Sequence, residues 1–329
     1  MFGNVSNLIR KFGIRKYKQQ LSVLIVFLTL MTIFIVGAPR VFLGTTIYIS
    51  FMSTIPFMAV LALPLTFVVI TGEIDLSFPY VMGFCGWLFS AIFVGTGNIV
   101  LALFGCLAMG LVAGTINGLI ITKFRVPSLI MTIGAMFFWE GATKLCAQAT
   151  TAGVGYTLTS AVNTSLYPVL AGRIWGIPVQ TLWTIAFAVI LWLILNRHKI
   201  GAHIYCVGDN IEAAKMMGIN ADRTKIFVFA LLGIFAAFSS ALTNTYMLYY
   251  WPSMGDGYLL PVIAAVFLGG TLPIGGRGTI FGTCIGSITI GILEAGVVAM
   301  GVSGSWNYLF CGLIIIISVI GHSFLRRGE

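Results

Sequence analysis

Long apolar runs separated by short polar connections occupy nearly the whole chain. No charged side chain occurs in residues 41–72, 76–122 or 226–255. Each run exceeds the roughly 20 residues that a helix needs to cross a bilayer. The pattern predicts an all-α polytopic membrane protein, a single transmembrane domain over residues 1–329, with about ten apolar spans: 20–37, 47–71, 76–95, 99–122, 127–148, 179–195, 226–249, 258–271, 279–300 and 305–321.

Two of these spans are expected to be irregular. The second is long and contains Pro56 and Pro64, which remove backbone donors and predict a kinked or broken helix. The eighth is too short to cross a bilayer and is interpreted as a half-helix.

The distribution of basic residues predicts the orientation. The chain has 18 Lys plus Arg and a formal net charge of +9. With the N-terminus inside, 15 of these residues fall on the inner side, against 3 on the outer side (Arg40, Lys144 and Arg173). Cytoplasmic loops carry such an excess. We therefore expect ten spans with both termini cytoplasmic in a bacterial inner membrane, and the charge indicates membrane topology rather than nucleic-acid binding.

The N-terminal segment, residues 1–19, has an amphipathic pattern. Val5, Leu8, Ile9 and Phe12 follow helical spacing beside five basic residues, which predicts a cytoplasmic helix on the membrane face. The alternative is a cleaved signal peptide ending near residues 37–38.

A faint internal repeat has an offset of 181 residues. Asp75 matches Asp256, Gly105 matches Gly286 and Gly110 matches Gly291. Five spans separate the copies, so the halves would form an inverted 5+5 repeat, as in many transporters. Glycines also recur every four residues and predict close helix packing, at Gly110, Gly114 and Gly118 and again at Gly278, Gly282 and Gly286.

The longest basic connection is residues 196–225, here called the basic segment. Asp209 and Glu212 fit a capping box, and Gly218 supplies a helix stop, so we expect a helix over 210–217. An isolated helix of this length is unstable and needs a surface to pack on. The alternative interpretation is an ordinary helical loop resting on the membrane.

Polar residues within or beside the spans are candidates for a solute pathway, because charge in lipid usually faces a partner or a water-filled path. The candidates are Asp75, Ser77, Asn117, Glu140, Asn244 and Asp256. Simpler interpretations are an ion pair of Glu140 with Lys144 and interfacial caps at Glu73, Asp75 and Asp256. Glu294 in the ninth span is a further ionisable group, and a proton relay is conceivable.

Catalytic and nucleotide-binding motifs are absent from the sequence. It has no GxxxxGK[ST] loop, no HExxH and no GxSxG. The six cysteines form no CxxC pair, which indicates neither a disulfide framework nor a metal site. The chain is therefore not expected to be an enzyme, with no catalytic or metal residues and no cofactor of its own.

Several motifs together resemble the membrane permease of ribose-type, binding-protein-dependent ABC importers of carbohydrates. Residues 71–77, TGEIDLS, resemble the family's GGIDLS signature, and 126–134 resemble its Pro-containing entry to span five. Residues 208–219 match its GxNxxAAxxxGI coupling-loop pattern, and 259–282 resemble its Gly-Gly turn region. Glu73 departs from the family's usual second Gly, and Phe78-Pro79 stands where small residues are common.

The resemblance implies a permease that moves a sugar-like solute without changing it. Its partners would be ABC ATPase subunits carrying ATP and Mg, a periplasmic or lipid-anchored binding protein, and a second permease copy or paralogue. An ion-coupled secondary transporter is the alternative. The resemblance places ATPase coupling on the short helix of the basic segment, with Asp209, Asn210, Glu212, Ala213, Ala214, Met216, Met217 and Gly218 as its residues.

Overall fold

Helices form almost all of the protein. A computed structural model describes residues 18–327, with side chains for 23–318 and 320. The predicted N-terminal amphipathic residues, Val5 to Phe12, lie outside this range. The helices are α1 (Lys18–Gly37), α2 (Pro39–Phe42), α3 (Thr45–Ile70), α4 (Phe78–Thr96), α5 (Ile99–Phe124), α6 (Ser128–Thr151), α7 (Tyr167–Ala171), α8 (Val179–Arg197), α9 (Lys199–Asp209), α10 (Ile211–Met216), α11 (Ala221–Met247), α12 (Leu259–Leu268), α13 (Ile280–Ala299) and α14 (Trp306–Arg327).

Seven of these helices are long and apolar enough to cross a membrane within the described range: α3, α4, α5, α6, α8, α11 and α13. Three shorter apolar helical stretches, Val23–Gly37, Leu259–Leu268 and Trp306–Ser318, coincide with the remaining predicted spans. The polytopic all-α class is confirmed, and the count of ten spans stays a prediction.

The second span was expected to be kinked or broken. Helix α3 runs without interruption through both of its prolines, so the break does not occur, and the kink stays a prediction. Pro56 cannot donate to the carbonyl of Met52, but the Thr181 hydroxyl of α8 donates to that oxygen instead. In lipid, Ser and Thr side chains of neighbouring helices commonly satisfy backbone groups that proline frees. The surrounding bundle thereby preserves the helix.

Helices α3 and α11 form the centre of the bundle and are buried over most of their length. The Ser239 hydroxyl donates to the Phe57 carbonyl at 2.8 Å and joins them. Helix α5 packs on α11 backbone to backbone. A Cβ on Gly114 would lie 2.2 Å from the Phe229 carbonyl oxygen, and one on Gly110 would lie 2.3 Å from that of Gly233.

Helices α12 and α13 also touch through glycines. A Cβ on Gly282 would lie 2.0 Å from the Gly269 carbonyl oxygen, and one on Gly286 would lie 2.1 Å from that of Ala265. Gly278 precedes α13 and packs instead against Ile70 and Thr271. The predicted close packing of the two glycine ladders is therefore confirmed except at Gly278.

Two non-helical segments, 71–77 and 251–258, enter the bundle from opposite ends. The Ser77 hydroxyl accepts a hydrogen bond from Asn117, which lies seven residues before the end of α5. At 1.5 Å per residue, the start of α4 therefore lies roughly 10 Å deeper in the bundle than the end of α5. From the other end, Gly255 reaches the first turn of α4, where its Cβ would lie 2.0 Å from the Pro79 carbonyl oxygen.

The depth of the 251–258 segment explains why α12 is short. Its ten residues extend about 15 Å, half of the roughly 30 Å hydrocarbon layer, as expected for a half-helix. The starts of α4 and α12 are 181 residues apart, as are those of α5 and α13. This spacing is what the inverted repeat requires, and the repeat itself stays a prediction.

Short strands are confined to the bundle end away from the basic segment. Strand β1 (Tyr156–Thr157) pairs antiparallel with β4 (Tyr249–Tyr250). Strand β2 (Arg173–Ile174) pairs with β3 (Ile177–Pro178). The long connection between α6 and α8 is thus ordered by pairing, and it also contains a 3₁₀ helix at Thr159–Asn163.

An ion pair between Glu73 and Lys225 joins the 71–77 segment to the first turns of α11. Their side chains are only 12% and 16% exposed, respectively. The carboxylate that departs from the family pattern therefore has a local partner. The expected interfacial cap at Glu73 is replaced by this pair.

We expect Gly114→Ala to lower the thermal unfolding midpoint, because the new methyl group meets the α11 backbone. Forced overpacking of this kind costs about 1–3 kcal/mol. Gly134→Ala in α6 is the matched control, since no atom lies within 4 Å of its Cβ position. Intrinsic fluorescence of the purified protein during heating measures both. Equal shifts in the two variants would contradict the close packing.

We expect Glu73→Gln to destabilise the protein by on the order of 3 kcal/mol, since it leaves a largely buried ammonium group unpaired. Replacing both partners, as Glu73→Met with Lys225→Met, should cost less, because apolar replacements remove both buried charges. Glu212→Gln is the control, because its ion pair with Lys215 is exposed. Thermal unfolding that ranks the double variant below Glu73→Gln in stability would refute this account.

Candidate functional site

The basic segment folds into two consecutive helices, α9 and α10. Nδ1 of His198 accepts from the Ile200 amide at 3.2 Å and begins α9. Oδ1 of Asn210 accepts from the amides of Glu212 and Ala213, each at 3.0 Å, and begins α10. Side chains before each helix therefore satisfy amides that the first turn leaves unpaired.

The predicted capping box is wrong. Asp209 is the last residue of α9, whereas Asn210 has the extended backbone of an N-cap, with φ −154° and ψ 106°. Glu212 pairs with Lys215 at 3.1 Å. The helix is six residues long, shorter than the predicted 210–217. The side-chain oxygen of Asn210 caps it, in place of the Asp209 carboxylate that the pattern indicated.

The end of α10 follows the sequence prediction. Gly218 has φ +79°, and the amides of Gly218 and Ile219 donate to the carbonyls of Lys215 and Ala214 at 2.9 and 3.0 Å. This is a Schellman motif, which needs a left-handed residue and favours glycine. The helix stop at Gly218 is confirmed.

A small apolar cluster holds α10 against the rest of the chain. Ala214, Val207 and Ala221 are fully or almost fully buried, and Ile211 and Ile219 pack beside them. Ala213 is half-buried. The surface that this short helix needs is therefore supplied by α9 and the start of α11.

The opposite face of α10 is uncovered. Met216 is 84% exposed and Met217 is 63% exposed. Methionine is flexible and polarisable, and it is frequent on surfaces that bind helices or grooves of a partner. The segment thus has one side fixed to its own chain and another side presenting two adjacent apolar side chains.

Three backbone segments meet behind α9, at a contact here called the junction: Ile70–Gly72, Gly208–Asp209 and Gly275–Gly276. The Gly276 amide donates to the Ile70 carbonyl at 2.8 Å. A Cβ on Gly208 would lie 1.7 Å from the same oxygen. The Gly275-Gly276 turn has φ of +90° and +76°, which confirms the predicted tight turn and requires glycine.

Tyr205 strengthens the junction from the side of α9. Its hydroxyl donates to the Gly278 carbonyl at 2.8 Å, and burial raises the pKa of the phenol to about 12. The group consequently remains a donor over the physiological pH range. The basic segment is thus bonded to the turn that precedes α13 and is in contact with the end of α3.

Three candidate pathway residues bond to one another. Oδ1 of Asp75 accepts from the amide and the hydroxyl of Ser77, each at 2.7 Å. The Asn117 amide donates to the Ser77 hydroxyl at 2.8 Å. All three are buried. In this conformation they fix the start of α4, as the cap interpretation of Asp75 predicted, and their place on a pathway stays a prediction.

Asn244 lies apart from this group, between α11 and α4. Its side-chain nitrogen donates to the Gly86 carbonyl at 2.9 Å and to the Ser90 hydroxyl at 3.1 Å. Its oxygen has no partner among the described residues. These contacts form an interhelical hydrogen bond. Asn side chains commonly bond between helices in membranes.

Glu140 and Asp256 are brought together. Their carboxylates and the Lys144 ammonium are close enough for their charges to interact. The same three charges also interact with the hydroxyl group of Tyr80. The predicted Glu140–Lys144 ion pair is present. Glu140 is 26% and Lys144 is 59% exposed in the side chain, so this polar group remains accessible at the surface of a single chain.

Sequence reasoning missed the contacts of the junction and of Glu73. Tyr205, which bonds beside the junction, and Lys225, which pairs with Glu73, carry no distinctive pattern, because these contacts join positions far apart in sequence. The only available signals were the glycine doublet at 275–276 and the unusual Glu73. No group of three or more His, Cys, Asp or Glu side chains that could hold a metal ion occurs in the described part of the chain.

Comparison with known proteins identifies the family. The family model described as branched-chain amino acid transport system / permease component matches residues 47–319. The ribose import permease protein RbsC of Escherichia coli strain K12 is 29% identical over 313 residues, covering 94% of this chain and 96% of that protein.

Further relatives agree with this match. RbsC of Bacillus subtilis strain 168 is 33% identical over 261 residues, 79% of each chain. The autoinducer 2 import system permease protein LsrD of Salmonella paratyphi B is 28% identical over 266 residues, 81% of this chain and 80% of that protein. No solved structure matches. The chain therefore belongs to the ribose-type ABC transporter permease family.

Proposed function

We propose that this permease is the membrane subunit of an ABC importer that moves a sugar or sugar-like solute delivered by a binding protein. ATP hydrolysis takes place on a separate ATPase subunit, which carries the ATP and Mg. The permease acts with a second copy of itself or a paralogue in a bacterial inner membrane, with the basic segment and both termini in the cytoplasm. The excess of Lys and Arg at that end of the bundle supports this orientation.

The observation that carries the proposal is the two-sided structure of α10. Its inner side is held by Ala214, and its outer side presents Met216 and Met217 with no cover from the described chain. A helix of six residues has little stability of its own. Its order and its exposed apolar side chains together support a docking role for the residues from Asp209 to Gly218.

The junction gives that docking site a mechanical connection to the membrane helices. Gly208 touches the Ile70 carbonyl without an intervening side chain, and Tyr205 bonds to Gly278. Backbone contacts of this kind transmit displacement because packed protein interiors are barely compressible. Closure of the ATPases against α10 would therefore displace α3 and the turn before α13.

The solute would pass the polar group of Glu140, Lys144, Asp256 and Tyr80. Asp256 lies in the non-helical 251–258 segment, and Glu140 lies near the middle of α6. Irregular backbone within a membrane is tolerated where protein buries it or where it lines a water-filled cavity. Carboxylates accept hydrogen bonds from hydroxyl groups, which suits a polyhydroxylated solute.

Reconstitution tests the proposal directly. The chain is placed in liposomes with the ATPase and binding protein encoded beside its gene, and ATP hydrolysis and uptake are measured with D-ribose, D-xylose, L-rhamnose and ribitol as probes. We expect at least one probe to stimulate hydrolysis and accumulate. The proximity of Glu140 and Asp256 favours ion-coupled transport as the second candidate, and uptake that persists without ATP but stops when the proton gradient collapses would establish it instead.

We expect the double variant Met216→Ser, Met217→Ser to bind the ATPase at least about tenfold more weakly, because loss of an anchor residue at an interface costs about 2 kcal/mol or more and each ~1.4 kcal/mol is a factor of ten. The fold should be unaffected, since both side chains are exposed. Met300→Ser, an exposed methionine at the opposite end of the bundle, is the control. Pull-down titration measures affinity, and unchanged binding by the double variant would remove α10 as the docking site.

We expect Tyr205→Phe to lower the amount of solute transported per ATP hydrolysed, because it removes the bond from α9 to Gly278. A hydrogen bond of this type contributes about 1 kcal/mol, so the protein should still assemble. Tyr167→Phe is the control, a tyrosine of α7 in the connection between α6 and α8. Parallel assays of uptake and hydrolysis measure the ratio. An unchanged ratio in Tyr205→Phe would show that the junction does not transmit motion.

A further inference from the structure

A cavity of about 290 Å³ lies between α3, α12, α13 and the end of α11. Glu294 of α13, Tyr258 just before α12 and Thr54 of α3 are the polar residues among those that line it. A smaller cavity of about 140 Å³ adjoins it towards α14, and the Glu294 side chain lines both. The carboxylate therefore stands where the two cavities meet.

Glu294 is an unusual residue in its setting. It lies within a helix that is long and apolar enough to cross a membrane, five residues before the helix ends at Ala299. Among the described side chains, those of residues 23–318 and 320, none forms a hydrogen bond or ion pair to its carboxylate. An ionisable group at such a depth is costly and commonly faces a ligand or a transport path.

Asn307 gives a second, independent indication of a ligand. It lines the smaller cavity beside Glu294, and its side-chain oxygen is buried without a hydrogen-bond partner among the described residues. Buried polar atoms are normally paired, and an unpaired one calls for a missing partner. Two polar groups without partners thus face the same connected space from α13 and α14.

The lining fits a small hydroxylated molecule. Glu294 accepts hydrogen bonds, Thr54 can accept one because its own hydroxyl donates to the Ser50 carbonyl at 3.0 Å, and Asn307 can donate and accept through its amide. The remaining walls are largely apolar, including Ile55, Met58 and Pro261. Ligand sites typically combine apolar walls with a few placed polar groups and have volumes from about 300 Å³ upwards. The space suits a molecule of monosaccharide size.

We propose that the cavity around Glu294 is a binding site for a polyhydroxylated solute, whose hydroxyl groups donate to the Glu294 carboxylate while its carbon faces pack on Ile55 and Pro261. The proposal rests on the proposed function for the class of solute. The site is separate from the group of Tyr80, Glu140 and Lys144, none of which lines either cavity. Asp256 belongs to that group, and the next two residues, Gly257 and Tyr258, face this cavity.

Thermal unfolding of the purified full chain tests the site without any partner protein. The probes are D-ribose, D-xylose and ribitol at about 50 mM, and a ligand that binds the folded state raises the unfolding midpoint. We expect at least one probe to raise the midpoint of the wild type by a few degrees and to have no effect on Glu294→Gln. Glu294→Asp, which keeps a carboxylate, should retain part of the shift.

Asp222→Asn is the matched control, because it converts an exposed carboxyl to an amide at the far end of the bundle. It should shift like the wild type. Absence of any shift in the wild type, or an equal shift in Glu294→Gln, would overturn the proposal. An unfolding midpoint that is higher in NaCl than in KCl, only when Glu294 is present, with no response to the polyols, would identify a cation site. That result would also overturn the proposal.

Asn307→Ala provides a second variant that leaves the carboxylate in place, and it carries the test if Glu294→Gln does not fold. We expect it to reduce the polyol shift, and a full wild-type shift would contradict the proposed contact. In the reconstituted importer, Glu294→Gln should keep ATPase binding but lower uptake per ATP at least about tenfold, as expected for a lost hydrogen bond to a charged group. A complex that fails to couple at all would reject the proposed function and leave the thermal test valid.

Discussion

The need to satisfy backbone hydrogen bonds inside the bundle governs this architecture. Lipid offers no partners, so non-helical backbone must be buried by protein or line a polar space. Segments 71–77 and 251–258 meet this requirement in different ways. Asp75, Ser77 and Asn117 bond around the first segment. The second follows directly after strand β4, which pairs with a strand from a distant connection, and then passes beside α4.

Glycine makes the rest of the packing possible. At Gly114 and Gly282 it lets neighbouring helices approach until one backbone touches the other. At Gly208 and Gly276 it lets backbone segments near the ends of the helices touch. The pattern of apolar spans in the sequence does not predict these contacts. The protein therefore uses one physical device, the missing Cβ, both to pack its membrane helices and to bond its basic segment to them.

Sequence alone predicted the class, most helix positions and the place of the short helix in the basic segment, because hydropathy and turn residues act locally. It also predicted the half-helix at 258–271 and the glycine stop at 218. It failed where two adjacent residues compete for one role, as at Asp209 and Asn210, since either side chain can cap a helix. It left open whether the helix with Pro56 would be kinked or broken, because the compensating Thr181 lies on another helix, more than a hundred residues away.

In the proposed mechanism, recognition of the ATPase and transmission of its movement use different atoms. Methionine side chains on α10 face outwards, whereas the link behind them is made by main-chain atoms at Gly208, Ile70 and Gly276. Substitutions can alter the outward face without touching that link. Under the proposed mechanism, permeases of this kind could therefore exchange one ATPase subunit for another during evolution, while the backbone contacts inside the membrane domain stay unchanged.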